Sequence, residues 1–90
     1  MRPVAEDRQT RVKRLYMRSI RRGIKEMDII LRRYADARLD ALPEAQLDIY
    51  DQLLSENDQD LYQWVTGQVT APDPFAALIA EIAEVSDASR

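Results

Sequence analysis

The sequence predicts an all-α protein, a small single-domain bundle of five helices. Residues that interrupt helices are scarce, since the 90 residues include two glycines and four prolines. Apolar side chains, 46% of the composition, recur at helical spacing in five segments separated by short links. A chain of this length buries one core and has little stability to spare. We therefore expect consecutive helices to pack antiparallel or to cross steeply.

The first two predicted helices meet at a glycine. The first runs from about residue 7 to residue 22, Gly23 interrupts the pattern, and the second continues from about residue 24 to residue 39. The side chains expected to face the core share one stripe on each helix. They are Val12, Leu15, Tyr16, Ser19, Ile20, Met27, Ile30, Leu31, Tyr34 and Ala35.

Three further helices are marked by their start and stop residues. Pro43 suits the first turn of the third helix, and Asn57–Asp58 is expected to cap a short fourth helix that Gly67 ends. Asp73–Pro74 has the pattern of a cap and first turn for the fifth. The expected core positions are Leu47, Tyr50, Leu53, Leu54, Leu61, Trp64, Val65, Phe75, Leu78, Ile79 and Ile82.

The ends of the chain and its cellular location are predicted from simple patterns. We expect residues 1–5 and 86–90 to be flexible and residues 6–85 to form the bundle. No apolar run is long enough for a bilayer, no secretion signal is visible, and Glu6 and Asp7 fit a transit peptide poorly. These patterns predict a bacterial cytoplasmic protein. No apolar stripe is left over, so a monomer is expected.

The composition argues against catalysis. Without cysteine or histidine there is no thiolate nucleophile, iron–sulfur cluster, imidazole base or ordinary transition-metal site, and no glycine-rich phosphate loop occurs. A small enzyme using the carboxylates of Glu26 and Asp28 is an alternative. Residues two apart on a helix point to different faces, however, so these two would not converge on one substrate. We therefore predict a binding protein, with no catalytic residue, bound metal or stably held cofactor.

Charge is divided unevenly along the chain. Residues 1–33 contain eleven of the thirteen lysines and arginines with four acids, whereas residues 34–90 contain two arginines and twelve acids. The basic third can steer an acidic partner, or it can pair with the acidic remainder inside the fold. A nucleic-acid-binding or antitoxin-like module using the basic first helix is a further alternative. The net charge of −3 and the lack of a recognition helix combining Arg with Asn or Gln argue against it.

The strongest candidate for a binding surface is the joint between the first two helices, which we call the glycine corner: Arg21, Arg22, Gly23, Glu26 and Asp28. A glycine there permits a left-handed turn and lets another backbone approach closely. The charges also have local explanations, because acids favour the first turn of a helix and cations the last. Taken alone, the corner is therefore as consistent with helix punctuation as with docking.

Two segments together resemble a known family. Residues 21–28, RRGIKEMD, are similar to the Arg-Gly-x-x-Glu signature of the SdhE-type flavinylation factors, also called succinate dehydrogenase assembly factors, and RLYMRS at residues 14–19 resembles the approach to it. YDQLL at residues 50–54 and DQDLYQWV at residues 58–65 resemble the family's second segment. The resemblance covers residues 14–67. Departures are small, such as Tyr34 where many members have Phe and Ile24 where many have Met.

The resemblance implies a function for the corner. Members of this family bind the flavoprotein subunit of succinate dehydrogenase and promote covalent attachment of FAD to a histidine of that client. The flavoprotein of fumarate reductase is a second expected client. By the match, Arg22, Gly23 and Glu26 lie on the client-binding surface, and we assign the adjacent Arg21 and Asp28 to the same surface. FAD is expected to belong to the client, since this chain has no histidine to accept it.

Overall fold

A computed structural model of the chain describes residues 7–87, and the predictions made for residues 1–5 and 88–90 lie outside that range. Within it the fold is all-α, as predicted, and contains no strand. The helices are α1 (Arg8–Ser19), α2 (Lys25–Arg38), α3 (Glu44–Leu53), α4 (Asp58–Val65) and α5 (Ala76–Ser86), with a 3₁₀ turn at Leu39–Ala41. Ser86, assigned from sequence to the flexible end, is the buried last residue of α5.

Two helices begin at side-chain caps. The Asp7 carboxylate accepts the backbone N–H of Thr10 at 2.7 Å, and the Asn57 side chain accepts that of Gln59 at 2.8 Å. Each cap satisfies a donor that the first helical turn leaves unpaired. After α4, Gly67 adopts a φ of 83°, the left-handed conformation in which glycine commonly ends a helix.

Two predicted boundaries are wrong. Helix α1 ends at Ser19 rather than residue 22, because the N–H groups of Arg22 and Gly23 donate to carboxylates instead of to helical carbonyls. Helix α5 begins at Ala76, and no side chain caps it. The preceding residues form a turn in which the Phe75 N–H donates to the Pro72 carbonyl at 2.8 Å. Asp73 is therefore not the cap that its sequence context suggested.

Helix α2 is the centre of the bundle and packs against α1, α4 and α5. Every position of α2, α3 and α5 predicted to face the core is buried, which confirms the helical stripes there. Agreement is weaker in α1, where Leu15 and Ser19 are buried but Val12 and Tyr16 are half-buried. Trp64 is also half-buried, and its ring stacks on Phe75 with a centroid distance of 6.0 Å.

Arginines of α1 pair with carboxylates of α3. The pairs are Arg8–Glu44 at 2.7 Å, Arg11–Asp48 at 2.5 Å and Arg18–Asp51 at 2.5 Å. Residue numbers rise together along both helices, so α1 and α3 run parallel. Part of the basic first third thus pairs with acids of the remainder within the fold. Each exposed pair contributes at most about 1 kcal/mol, and their main effect is to fix the register of the two helices.

A buried polar contact joins the same two helices. The Ser19 Oγ donates to the Leu15 carbonyl at 2.8 Å and lies 2.6 Å from the Tyr50 hydroxyl, which must therefore donate to it. Both side chains are fully buried, and this burial raises the pKa of Tyr50 to about 12. A serine can occupy the apolar stripe of α1 because the contact satisfies its hydroxyl.

We expect Tyr50→Phe to lower the free energy of unfolding by about 0.5–1.5 kcal/mol, because it removes this hydrogen bond and keeps the ring. Denaturant unfolding measures the change. Tyr62→Phe is the matched control, since the Tyr62 hydroxyl has no hydrogen-bond partner among residues 7–87. Equal stability of the two variants would contradict a stabilising role for the Ser19–Tyr50 contact.

Candidate functional site

The glycine corner lies in and just after the link between α1 and α2, and the structure divides its residues into two groups. Arg22 and Asp28 turn toward the protein and are partly buried, whereas Arg21, Gly23 and Glu26 are exposed. The structure therefore brings all five predicted residues to one region, but only three of them face solvent. Their role as a partner-binding surface stays a prediction.

Arg22 is engaged by the protein itself. Its side chain is 9% exposed, and its Nε donates to the Asp58 Oδ1 at 2.7 Å. The two terminal nitrogens donate to the carbonyls of Leu54 at 2.8 Å and Glu56 at 3.2 Å. One guanidinium thus ties the α1–α2 link to the end of α3 and the start of α4. The planar, multidentate geometry of arginine suits this role, and a lysine could not reproduce it.

Gly23 completes the same arrangement. Its backbone N–H donates to the Asp58 Oδ2 at 2.6 Å, so both oxygens of that carboxylate are held. We call Arg22, Gly23 and Asp58 the Arg22 clamp. A Cβ on Gly23 would lie 3.2 Å from the Asp58 Oδ2, closer than ordinary van der Waals contact. The approach of this carboxylate leaves little room for a larger residue here.

Gly23 does not adopt the left-handed turn that a glycine permits. Among the residues described, positive φ occurs at Gly67 and Asp87 but not at Gly23. The sequence also suggested a close approach at this glycine, and a close approach is observed. The approaching group is a side-chain carboxylate from 35 residues further along, not another backbone.

Asp28 secures the link from the other side. Its carboxylate accepts the Arg22 N–H at 2.5 Å from the first turn of α2, where a negative charge is also favoured by the helix dipole. Glu26 is exposed and has no ion pair or hydrogen bond within residues 7–87. The two carboxylates do not converge, which argues against the small-enzyme alternative. Over the same range, no group of three acidic side chains is placed to hold a metal ion.

The exposed side of the corner presents unpaired charges of both signs. Arg21, Lys25 and Glu26 are exposed, and none forms an ion pair with another described residue. Two exposed apolar side chains lie beside them, Met17 at 38% and Ile29 at 43% exposure. Sequence reasoning missed both of these. Their signal was an apolar residue on a helix face that is otherwise polar.

Asp58 was also underestimated from sequence. The sequence predicts a cap at Asn57–Asp58, and the resemblance includes Asp58 in the family's second segment. Asn57 provides the cap, Asp60 is exposed, and Asp58 receives the Arg22 guanidinium. The two segments that carry the family resemblance are therefore joined by direct contact, which explains physically why both are needed to build the corner.

The basic face of α1 is occupied by its acidic partners. Four of its five cations contact carboxylates of α3, namely Arg8, Arg11, Arg14 and Arg18, and the exposed Lys13 is the exception within residues 7–87. A nucleic acid would have to displace these pairs to reach the arginines. The nucleic-acid-binding alternative therefore has little support from the geometry.

We expect Arg22→Leu to lower the free energy of unfolding by roughly 2–4 kcal/mol, because Asp58 would lose its ionic partner and two carbonyls would lose their donor. Arg21→Ala is the control from the neighbouring position, where the side chain is exposed and unpaired, and it should change stability by no more than about 0.5 kcal/mol. Chemical denaturation checks both. Similar losses from the two variants would contradict the clamp.

Comparisons with known proteins give a consistent result. A family model described as flavinator of succinate dehydrogenase matches residues 13–86. Succinate dehydrogenase assembly factor 2, mitochondrial, of Meyerozyma guilliermondii is 51% identical over 61 residues, covering 68% of this chain and 45% of that protein. The same-named protein of Schizosaccharomyces pombe is 40% identical over 70 residues, covering 78% and 50%. That of Mycosarcoma maydis is 38% identical over 72 residues, covering 80% and 30%.

These relatives are longer than the matched part of the chain, and their names bear on its predicted cellular location. The matched part of the chain spans half or less of each relative. The prediction of a bacterial cytoplasmic protein is wrong, because the curated relatives come from fungi and are named mitochondrial. Across residues 7–87, no helix is both long and apolar enough to span a membrane.

Proposed function

The chain belongs to the family of flavinators of succinate dehydrogenase, as its two motifs indicated, and we propose that it binds the flavoprotein subunit of that enzyme and promotes covalent attachment of FAD to it. The observation that carries the proposal is the corner itself, an exposed surface with unpaired charges of both signs on a backbone held by the Arg22 clamp. Family membership supplies the class of client, and the corner supplies a surface suited to recognising it.

We assign different roles to the five corner residues. Arg21, Gly23 and Glu26 are exposed and contact the client, with Gly23 letting the client's surface approach the backbone. Arg22 and Asp28 act through the corner's shape, because both are engaged inside the protein. A surface already held in its binding conformation loses less entropy on association than a mobile loop does. The clamp thus supports affinity without touching the client.

The mechanism is selective binding rather than catalysis by this chain. A binding partner shifts a conformational equilibrium only by the difference in its affinity for the two states. The corner must therefore prefer a client conformation in which FAD and its acceptor histidine are positioned to react. The chain contributes no acceptor, since it has no histidine, and FAD stays with the client. We propose a monomer, with the fumarate reductase flavoprotein as a second client.

The function is tested in cells that lack the gene. The flavoprotein subunit is isolated, denatured and examined for covalent flavin fluorescence. We expect the fluorescence to fall on deletion, to return with the wild-type chain, and not to return with Gly23→Arg, whose long side chain would cover the corner. Unchanged fluorescence after deletion would contradict the proposed function.

Gly23→Ala is the matched control. It introduces the same Cβ beside the Asp58 Oδ2 but adds no further bulk, so it separates disturbance of the clamp from obstruction of the surface. We expect Gly23→Ala to restore flavinylation and to capture the flavoprotein subunit in a pull-down. If Gly23→Arg also captured the subunit, the function would stand and the docking surface would be overturned.

A further inference from the structure

A shallow depression lies beside the glycine corner, between α2 and α4. It is lined by Glu26, Ile29, Ile30 and Arg33 of α2, by Tyr62 of α4 and Thr66 just after it, and by Ser86 and Asp87 at the end of α5. The volume is about 210 Å³, below the range of roughly 300–1,000 Å³ typical of small-molecule sites. It has room for one large apolar side chain. Ile29 is 43% exposed there, although most apolar residues of α2 are buried.

Charged groups mark the two ends of this depression. Glu26 has no ion pair within residues 7–87, and Arg33 lies seven residues later, about 10 Å further along the same face of α2. An Nη of Arg33 donates to the Ser86 carbonyl at 3.2 Å, which holds the guanidinium near the end of α5. The Tyr62 hydroxyl has no hydrogen-bond partner among the described residues. The apolar centre is thus flanked by Glu26 at one end and by Arg33 together with the acidic Asp87 at the other.

We propose that this depression is the apolar half of the client interface. It receives one apolar or aromatic side chain from a segment of the flavoprotein subunit that carries a basic residue opposite Glu26. The inference rests on the proposed function and extends it, because Glu26 belongs to both the corner and the depression. Interfaces are commonly anchored by a large side chain in a central pocket and surrounded by polar groups. The corner provides polar groups, and the depression provides the pocket.

A second copy of this chain is a poorer occupant. Stable interfaces bury roughly 800 Å² on each partner. One exposed isoleucine in a shallow depression does not provide that area by itself, whereas the depression joined to the corner forms one longer surface. A client that contacts both can use the charges of the corner for orientation and Ile29 for affinity.

Ile29→Gln tests the inference through the affinity for purified flavoprotein subunit, measured by calorimetry. Glutamine favours helices and the site is exposed, so the fold is retained. We expect binding to weaken about tenfold, as for removal of an interface anchor. Ile29→Leu should bind within about twofold of wild type, because it keeps the apolar surface.

Val69→Gln is the matched control, since Val69 is 46% exposed and does not line the depression. Wild-type affinity of Val69→Gln and weakened binding of Ile29→Gln would support the inference. Wild-type affinity of Ile29→Gln beside loss of binding by Gly23→Arg would overturn the inference alone. Absence of binding by the wild-type chain would overturn it together with the proposed function. A dimer in sedimentation that Ile29→Gln dissociates would make a second copy the occupant and overturn the inference.

Discussion

Asp58 receives two donors from the link between α1 and α2, the Nε of Arg22 at 2.7 Å and the backbone N–H of Gly23 at 2.6 Å. With the side chains only 9% and 16% exposed, this ion pair is shielded from water far more than those along α1 and α3. Such a pair is costly to break once formed, because either partner alone would be a partly buried charge. The position of the whole corner relative to α3 and α4 depends on it.

The rest of the bundle positions the two segments that form this contact. Helix α2 supplies the central apolar surface, the ion pairs between α1 and α3 fix their parallel register, and the Ser19–Tyr50 contact joins the same two helices near the end of α1. The chain leaves α1 after Ser19, and Arg22 and Gly23 of the following link contact Asp58. Most cations of α1 are used within the fold, whereas Arg21 and Glu26 of the corner have no ion pair among the described residues. The exposed Ile29 adds an apolar contact beside them.

Structural features that depend on local sequence pattern could be predicted from the sequence. Helical spacing identified the core positions of α2, α3 and α5, and Asn57 and Gly67 bounded α4 as their residue types predict. Contacts between distant residues were not accessible in this way. Nothing near Arg22 reveals that its ionic partner is 36 residues away, and the sequence pattern predicts a first helix that continues past Ser19. The resemblance named both segments but not the ion pair that joins them.

The clamp can be tested most directly by amide hydrogen exchange at Gly23 in the free protein, followed by NMR. Gly23 is exposed, so protection of its N–H must come from the Asp58 carboxylate. Arg21, whose N–H has no partner among the described residues, is the internal reference. We expect Gly23 to exchange much more slowly than Arg21 and Arg22→Leu to abolish the difference. Equally fast exchange at Gly23 and Arg21 in the wild-type chain would contradict a corner held in place before the client arrives.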